Sequence, residues 1–379
     1  MNFLSKHKIL GLCVLPLAMM ACVTNESDEP KTDSKNYITW NVMSVNAMQG
    51  RALIESNEML QTACTGGRKA IGIWSAYEKD GETTKNVLGN PTGDVALIYQ
   101  ENTSWENYNW WSYGEKAEMW VGGAAYTFNA YFPKNVVNEI SSSDVSTFVI
   151  EYSTERYQED LMTAYAFVDT KSPTFRASNP VPLNMLHTLS ALKFQFSFIN
   201  SDGTTFEEED AITSFWLENT LLGRGLATTG ILAFGTIDEN GNMDGEHIHW
   251  YPEYYPEPST GSTEKKIYAW DDANGVNFSS TTTNRTVGVA YSTNIDGKQK
   301  YATNGGWVLT IPQETDGTSQ ICFKLRTTGD LVHRVKLPQT VYEPGKRYTY
   351  DLRFGQTSVT LSLKIANWNE LKSTQDIPL

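Results

Sequence analysis

The sequence predicts an all-β chain of antiparallel sheets paired as sandwiches, and three observations predict it. First, apolar residues recur with period two. Leu192, Phe194, Phe196 and Phe198 alternate with Lys193, Gln195 and Ser197. Tyr348, Tyr350, Leu352 and Phe354 alternate with Thr349, Asp351 and Arg353, and Val359, Leu361, Leu363 and Ile365 with Thr360, Ser362 and Lys364. Each run turns one face to a core and one to water, as antiparallel strands do. Second, Asp202-Gly203, Asn240-Gly241, Asn274-Gly275, Asp296-Gly297 and Asn304-Gly305 separate the runs with residues that tolerate positive φ. Third, no long 3.6-residue periodicity occurs, and only Asn184 to Ala191 is assigned a helical turn. Strand-rich chains of this kind build sandwiches.

In chain order, the first residues are an address. Lys6 and Lys8 flank the apolar run Ile9 to Ala21, which is too short to span a bilayer. It ends in Met19-Met20-Ala21-Cys22 and resembles a bacterial lipoprotein signal, with cleavage before Cys22 and acylation of that thiol. The competing reading is an ordinary secretory signal with an incidental cysteine. Residues 22–36 form a polar tether, and its Glu26-Ser27-Asp28-Glu29 resembles an export signal to the outer face of an outer membrane. The net charge of −14 argues against a nucleic-acid partner, since phosphate neutralisation needs basic patches. It suits a cell-surface protein.

The fold opens at Tyr37. Ile38, Trp40 and Val42 alternate with Thr39, Asn41 and Met43, giving a strand with one apolar face. Arg51 follows between Gly50 and Ala52, an accessible place for proteolysis. The bland reading is a surface arginine between two strands, and Arg68 is a second basic position where a cut would remove more of the chain.

The chain of 379 residues is long enough for two domains. The polar, proline-bearing stretches Asp169 to Pro173 and Ser178 to Pro180 divide an N-terminal domain at 37–175 from a C-terminal domain at 176–379. Residues 235–300 read as long polar loops. ICFKLRTTGDLVHRVKLP reads as a hairpin with Thr328-Gly329-Asp330 near its tip.

Catalytic signatures are missing: there is no GxSxG, HExxH, P-loop or dinucleotide fingerprint. No enzyme, cofactor or metal is expected. His247 and His249 would share a strand face, but third and fourth ligands are not evident, so they read as surface histidines. His187 and His333 read as packed, hydrogen-bonded residues. The run Glu207 to Asp210 reads as a solvated loop. Trp105, Tyr108, Trp110, Trp111, Tyr113 and Trp120 crowd one region and are read as mostly buried. Tyr251, Tyr254 and Tyr255 form a second cluster, placed in a loop and better suited to ligand contact. Cys64 and Cys322 read as buried free thiols more readily than as one disulfide.

Several segments together resemble the fimbrillin family, the subunits of type V pili. They are Arg51-Ala52, AIGIWSAY, WWSYGEKAEMW, AAYTFNAYFP, QEDLMTAYAF, VPLNMLHTLSALKFQF, WVLTIPQ, YEPGKRYTYDLRF and the closing IANW. Gly114 stands where the family often has proline, and 235–300 exceeds what a minimal stalk subunit needs.

The resemblance implies two transthyretin-like β-sandwich domains in tandem. It implies a lipoprotein precursor at the outer membrane, cut at Arg51 before Ala52 by an arginine-specific protease. The cut releases the lipid together with the first strand, the one carrying Ile38, Trp40 and Val42. The vacated groove then takes a strand from a neighbouring subunit, head to tail, in a cell-surface fimbria that serves adhesion. The alternative is a monomeric surface lipoprotein binding glycans or host ligands.

Overall fold

A computed structural model of the chain describes residues 36–44, 54, 56–67, 69–90, 93–100, 110–113, 117–134, 140–142, 148–154, 157, 159–198, 212–220, 225–234, 248–254, 264–271, 275–277, 290–295, 298–302, 307–325, 328–354 and 359–367. The fold is all β with one short helix among the described residues. The first part contains β1 (Trp40–Ser44), α1 (Asn57–Cys64), β2 (Ile71–Lys79), β3 (Glu82–Lys85), β4 (Val95–Gln100), β5 (Trp110–Tyr113), β6 (Ala125–Phe132), β7 (Ile140–Ser142), β8 (Phe148–Ser153), β9 (Met162–Asp169) and β10 (Val181–His187). Then follow β11 (Ser190–Phe198), β12 (Ile212–Thr220), β13 (Thr229–Phe234), β14 (Ile248–Pro252), β15 (Glu264–Asp271), β16 (Gly275–Asn277), β17 (Ala290–Ile295) and β18 (Lys298–Ala302). The last are β19 (Val308–Thr310), β20 (Gln313–Thr315), β21 (Ser319–Leu325), β22 (His333–Lys336), β23 (Thr340–Tyr342), β24 (Lys346–Phe354) and β25 (Val359–Asn367).

The first sheet runs β1-β10-β9-β6-β2-β4-β5, with β3 on β2. It rolls around a core that includes Leu60 and Cys64 of α1, Phe128 of β6, and Val181, Leu183 and Met185 of β10. Gly72 of β2 is required: a Cβ there would collide with the Tyr131 ring, whose hydroxyl donates to Asp94.

Two sheets, β17-β18-β11-β24-β25 and β16-β15-β12-β21-β22, enclose a second core. Leu192, Phe194, Phe215, Leu217, Ile321, Phe323, Tyr348 and Tyr350 meet there, each from the apolar face of an alternating strand. The expected hairpin is present, with β21 antiparallel to β22.

A further sheet, β14-β13-β8-β7, takes strands from both parts of the chain, with Leu232 opposite Ile150. Its apolar face and Tyr131, Leu161, Leu189 and Leu309 make a third core between the other two. The Trp250 indole donates to the Thr188 carbonyl at 2.7 Å, and Thr188 N–H donates to the Leu161 carbonyl at 2.9 Å.

Four local readings need correction. Asn184 to Ala191 holds no helical turn; its residues end β10 and begin β11, because the alternation Val181, Leu183, Met185, His187 buries one face of a strand. The region 235–300 contains β14 to β17, so it is not simply loop. Two pairings, β1 on β10 and β11 on β24, are parallel. The helix α1 was not foreseen. Its signals are short-range: Ser56 caps it by accepting from Met59 N–H, Glu58 sits in its first turn, and Leu60 and Cys64 face the core at i, i+4. Val181–His187 belongs to the first sheet.

Candidate functional site

The first strand closes the roll. β1 pairs in parallel with β10 over five residues, from Trp40 opposite Val181 to Ser44 opposite Met185. On its other side the residues leading into it pair antiparallel with the segment after β5. Ile38 N–H donates to the Glu118 carbonyl at 2.8 Å, Trp120 N–H to the Asn36 carbonyl at 2.9 Å, and Tyr37 bridges Met119. The segment 36–44 is therefore held by two elements distant in sequence, residues 36–38 by 118–120 on one flank and β1 by β10 on the other.

Its inward side chains complete the core. Ile38, Trp40 and Val42 are 1%, 7% and 4% exposed, while Met43 on the other face is 38% exposed. The Trp40 ring meets Phe128 at 5.1 Å and Tyr113 at 5.9 Å, both edge-on. Its indole N–H is buried without a hydrogen-bond partner, so shape and apolar contact hold it. Burying three such side chains contributes about 2–3 kcal/mol each.

The groove's walls are braced independently of the strand. The Tyr113 hydroxyl accepts from Glu118 N–H at 2.9 Å, and burial pushes this phenol up to about 12. The Trp120 indole donates to the Ala177 carbonyl and packs on Tyr126 and Phe175. α1 stands at the far end, where Ser44 N–H donates to Asn57 Oδ1 at 2.7 Å. Ile54 N–H donates to Asp160 Oδ2 at 3.0 Å.

Taking β1 away would leave donors and acceptors unpaired on both flanks and open an apolar cleft. An unpaired edge above an apolar cleft is a template for strand addition. Sequence reasoning named the apolar face of β1. It missed the walls, because Glu118, Trp120 and Val181 converge only through the rolled sheet.

The other expected residues distribute as follows. Cys22, Arg51, Ala52, Arg68, Trp105, Tyr108, His247 and Tyr255 lie outside the described residues. Tyr251 is on β14 rather than in a loop, 41% exposed, with its ring 4.5 Å from that of His249. The Tyr254 hydroxyl donates to the Glu314 carbonyl, which ties this residue to β20. Tyr113 is buried, Trp111 and Trp120 are half-buried, and Trp110 is 40% exposed. His187 is buried against Asp160, and His333 stacks on Phe323 and contacts the Thr328 hydroxyl. Cys64 and Cys322 are buried thiols, not joined in a disulfide. Among the described residues no group of three or more His, Cys, Asp or Glu could hold a metal ion. No helix among them is long and apolar enough to cross a membrane.

Fold and groove define an all-β protein whose first core is completed by its own N-terminal strand. The chain belongs to the fimbrillin-like family, whose model matches residues 58–368. No curated protein matches it. Among solved structures it is similar to a fimbrial protein from Bacteroides vulgatus, at 15% identity and a TM-score of 0.48, covering 88% of this chain and 99% of that one. It is also similar to a putative cell adhesion protein from Bacteroides uniformis, at 16% identity and a TM-score of 0.43, covering 90% and 100%. A fimbrial assembly protein from Parabacteroides distasonis matches at 9% identity and a TM-score of 0.35, covering 90% and 98%.

Proposed function

We propose that this chain is a structural subunit of a cell-surface fimbria that assembles by strand replacement. It is exported as a lipoprotein acylated at Cys22 and reaches the outer membrane. An arginine-specific protease cuts between Arg51 and Ala52. The cut frees the lipid and the strand bearing Ile38, Trp40 and Val42. The vacated groove accepts a strand from a neighbouring subunit, head to tail, so the polymer is open-ended. The subunit contributes to adhesion, and its body is two transthyretin-like sandwiches in tandem.

The observation that carries this reading is the two-sided pairing of residues 36–44, with β10 on one flank and the 118–120 segment on the other. A strand held so is integral to the fold, yet the whole of it lies upstream of Arg51 in the sequence. Membership of the fimbrillin-like family supports the same role.

A second reading rests on one observation, the exposed Tyr251 ring against His249. It is a monomeric surface lipoprotein that contacts glycans or host protein through this face.

The test is the intact mass and N-terminal residue of the protein from its native cell surface. A lipid-free start at Ala52 supports strand removal. A lipidated start at Cys22 in every fraction overturns the polymer reading and leaves an anchor or a monomeric binder.

A further inference from the structure

The groove has a feature that strand replacement alone does not use. Asp160 and His187 are buried together at its end, 2% and 6% exposed, with His187 Nδ1 2.9 Å from Asp160 Oδ2 and 3.1 Å from Oδ1. The same carboxylate accepts from Ile54 N–H. Ile54 is itself buried in the first core and precedes α1, whose Leu60 and Cys64 are fully buried. His187 closes β10, two residues beyond Met185, the partner of Ser44. Arg51 therefore lies in the sequence between two hydrogen-bonded residues, Ser44 on Asn57 and Ile54 on Asp160.

These two bonds differ in what a cut does to them. The Ser44 bond departs with the strand. The Ile54 bond does not, because Asp160 sits on the body of the fold next to β9 and is oriented by His187. Downstream, the Thr65 bridge to Tyr99 fixes the other end of α1. We infer that Asp160, positioned by His187, is a retention clasp: it keeps Ile54 to Cys64 seated after cleavage, so that the strand leaves and α1 stays. The clasp would hold α1 as the fixed end of the groove and keep Asn57 Oδ1 available to the backbone of a replacing strand. This rests on the strand-removal reading and adds the residue that makes removal one-sided.

The test compares amide hydrogen exchange before and after cleavage by an arginine-specific protease, in the wild type and in Asp160→Asn. The variant keeps the side-chain shape but replaces one acceptor by a donor facing Ile54 or His187. In the wild type, cleavage should leave protection of residues 54–64 within about threefold, while Trp120 and Val181 lose about tenfold or more. In Asp160→Asn, residues 54–64 should exchange about tenfold faster in the cleaved chain and change little in the intact one, where β1 still tethers α1. Equal effects in intact and cleaved chains would mean a merely structural role and overturn the inference, as would loss of 54–64 protection in the cleaved wild type. Whether the strand fragment leaves is read separately by mass. Its persistence would count against strand removal, whereas loss of 54–64 protection in cleaved wild type that has shed the fragment would count against the clasp alone.

Discussion

Trp40 and Tyr113 meet edge-on, their ring centroids 5.9 Å apart, across the seam where the first sheet closes on itself. One ring belongs to the strand proposed to leave and the other to the wall that stays. Trp40→Ala should therefore destabilise the intact chain by about 3–5 kcal/mol, the usual cost of truncating a buried tryptophan. Denaturant midpoints of the intact wild type and variant check this, and a loss below about 1 kcal/mol would contradict the placement of Trp40 as a side chain that completes the core.

Arg51 carries the proposed cut, and its replacement separates it from Arg68. Arg51→Gln should leave the surface protein with its upstream residues attached and block assembly, whereas Arg68→Gln should leave the mature N-terminus unchanged. N-terminal sequencing of surface fractions reads both. Loss of processing in Arg68→Gln alone would move the cut past α1, into residues whose removal would empty more than one strand's place in the core.

How much of this was legible beforehand depended on the range of the interaction. The alternation in Ile38 to Val42, Leu192 to Phe198 and Tyr348 to Phe354 is local and predicts strands, with Ile38, Trp40, Val42, Leu192, Phe194, Tyr348, Tyr350 and Leu352 on buried faces. The apolar set 181, 183, 185 alternates as clearly, but the helical turn assigned at Asn184 masked it, and with it the floor of the groove. β10, which follows the polar stretch at 169–180, joins the first sheet through pairings with β1 and β9 that carry no local signal. The pairing of Ile38 with Glu118, and of Ile54 with Asp160, links residues that carry no local signal of each other. α1 carries little periodicity, since it has eight residues and two buried positions.

The two thiols make a chemical prediction. Cys64 is fully buried, and burial pushes its thiol up to about 12 against a weaker opposing effect from Lys69. Cys322 is also fully buried, with its thiol directed at the Glu218 carboxylate at 2.9 Å. Thiolate is the reactive form, so neither should react with iodoacetamide near neutral pH while the protein is folded. Both should react in denaturant without prior reduction. A requirement for reductant would show a disulfide and contradict the separate placement of the two residues.

The phenols give a titration that reports on the groove itself. Tyr113, Tyr348 and Tyr350 are each pushed up to about 12, chiefly by burial. A phenol is neutral when protonated, and its ordinary value is about 10. Between about 10 and 12 the unfolded chain has released protons that the native chain still holds, so stability falls with rising pH. The contribution is fully present below about pH 10 and is lost as pH rises through the folded values. Tyr348 and Tyr350 lie in the second core, away from β1, whereas Tyr113 is covered by Trp40. Removing the strand should bring Tyr113 back toward its ordinary value and leave the other two unchanged. Phenolate absorbance of intact and cleaved protein, each compared with Tyr113→Phe, measures this. If Tyr113 titrates identically in both forms, the groove closes over it when the strand leaves, and no open acceptor site awaits a neighbour.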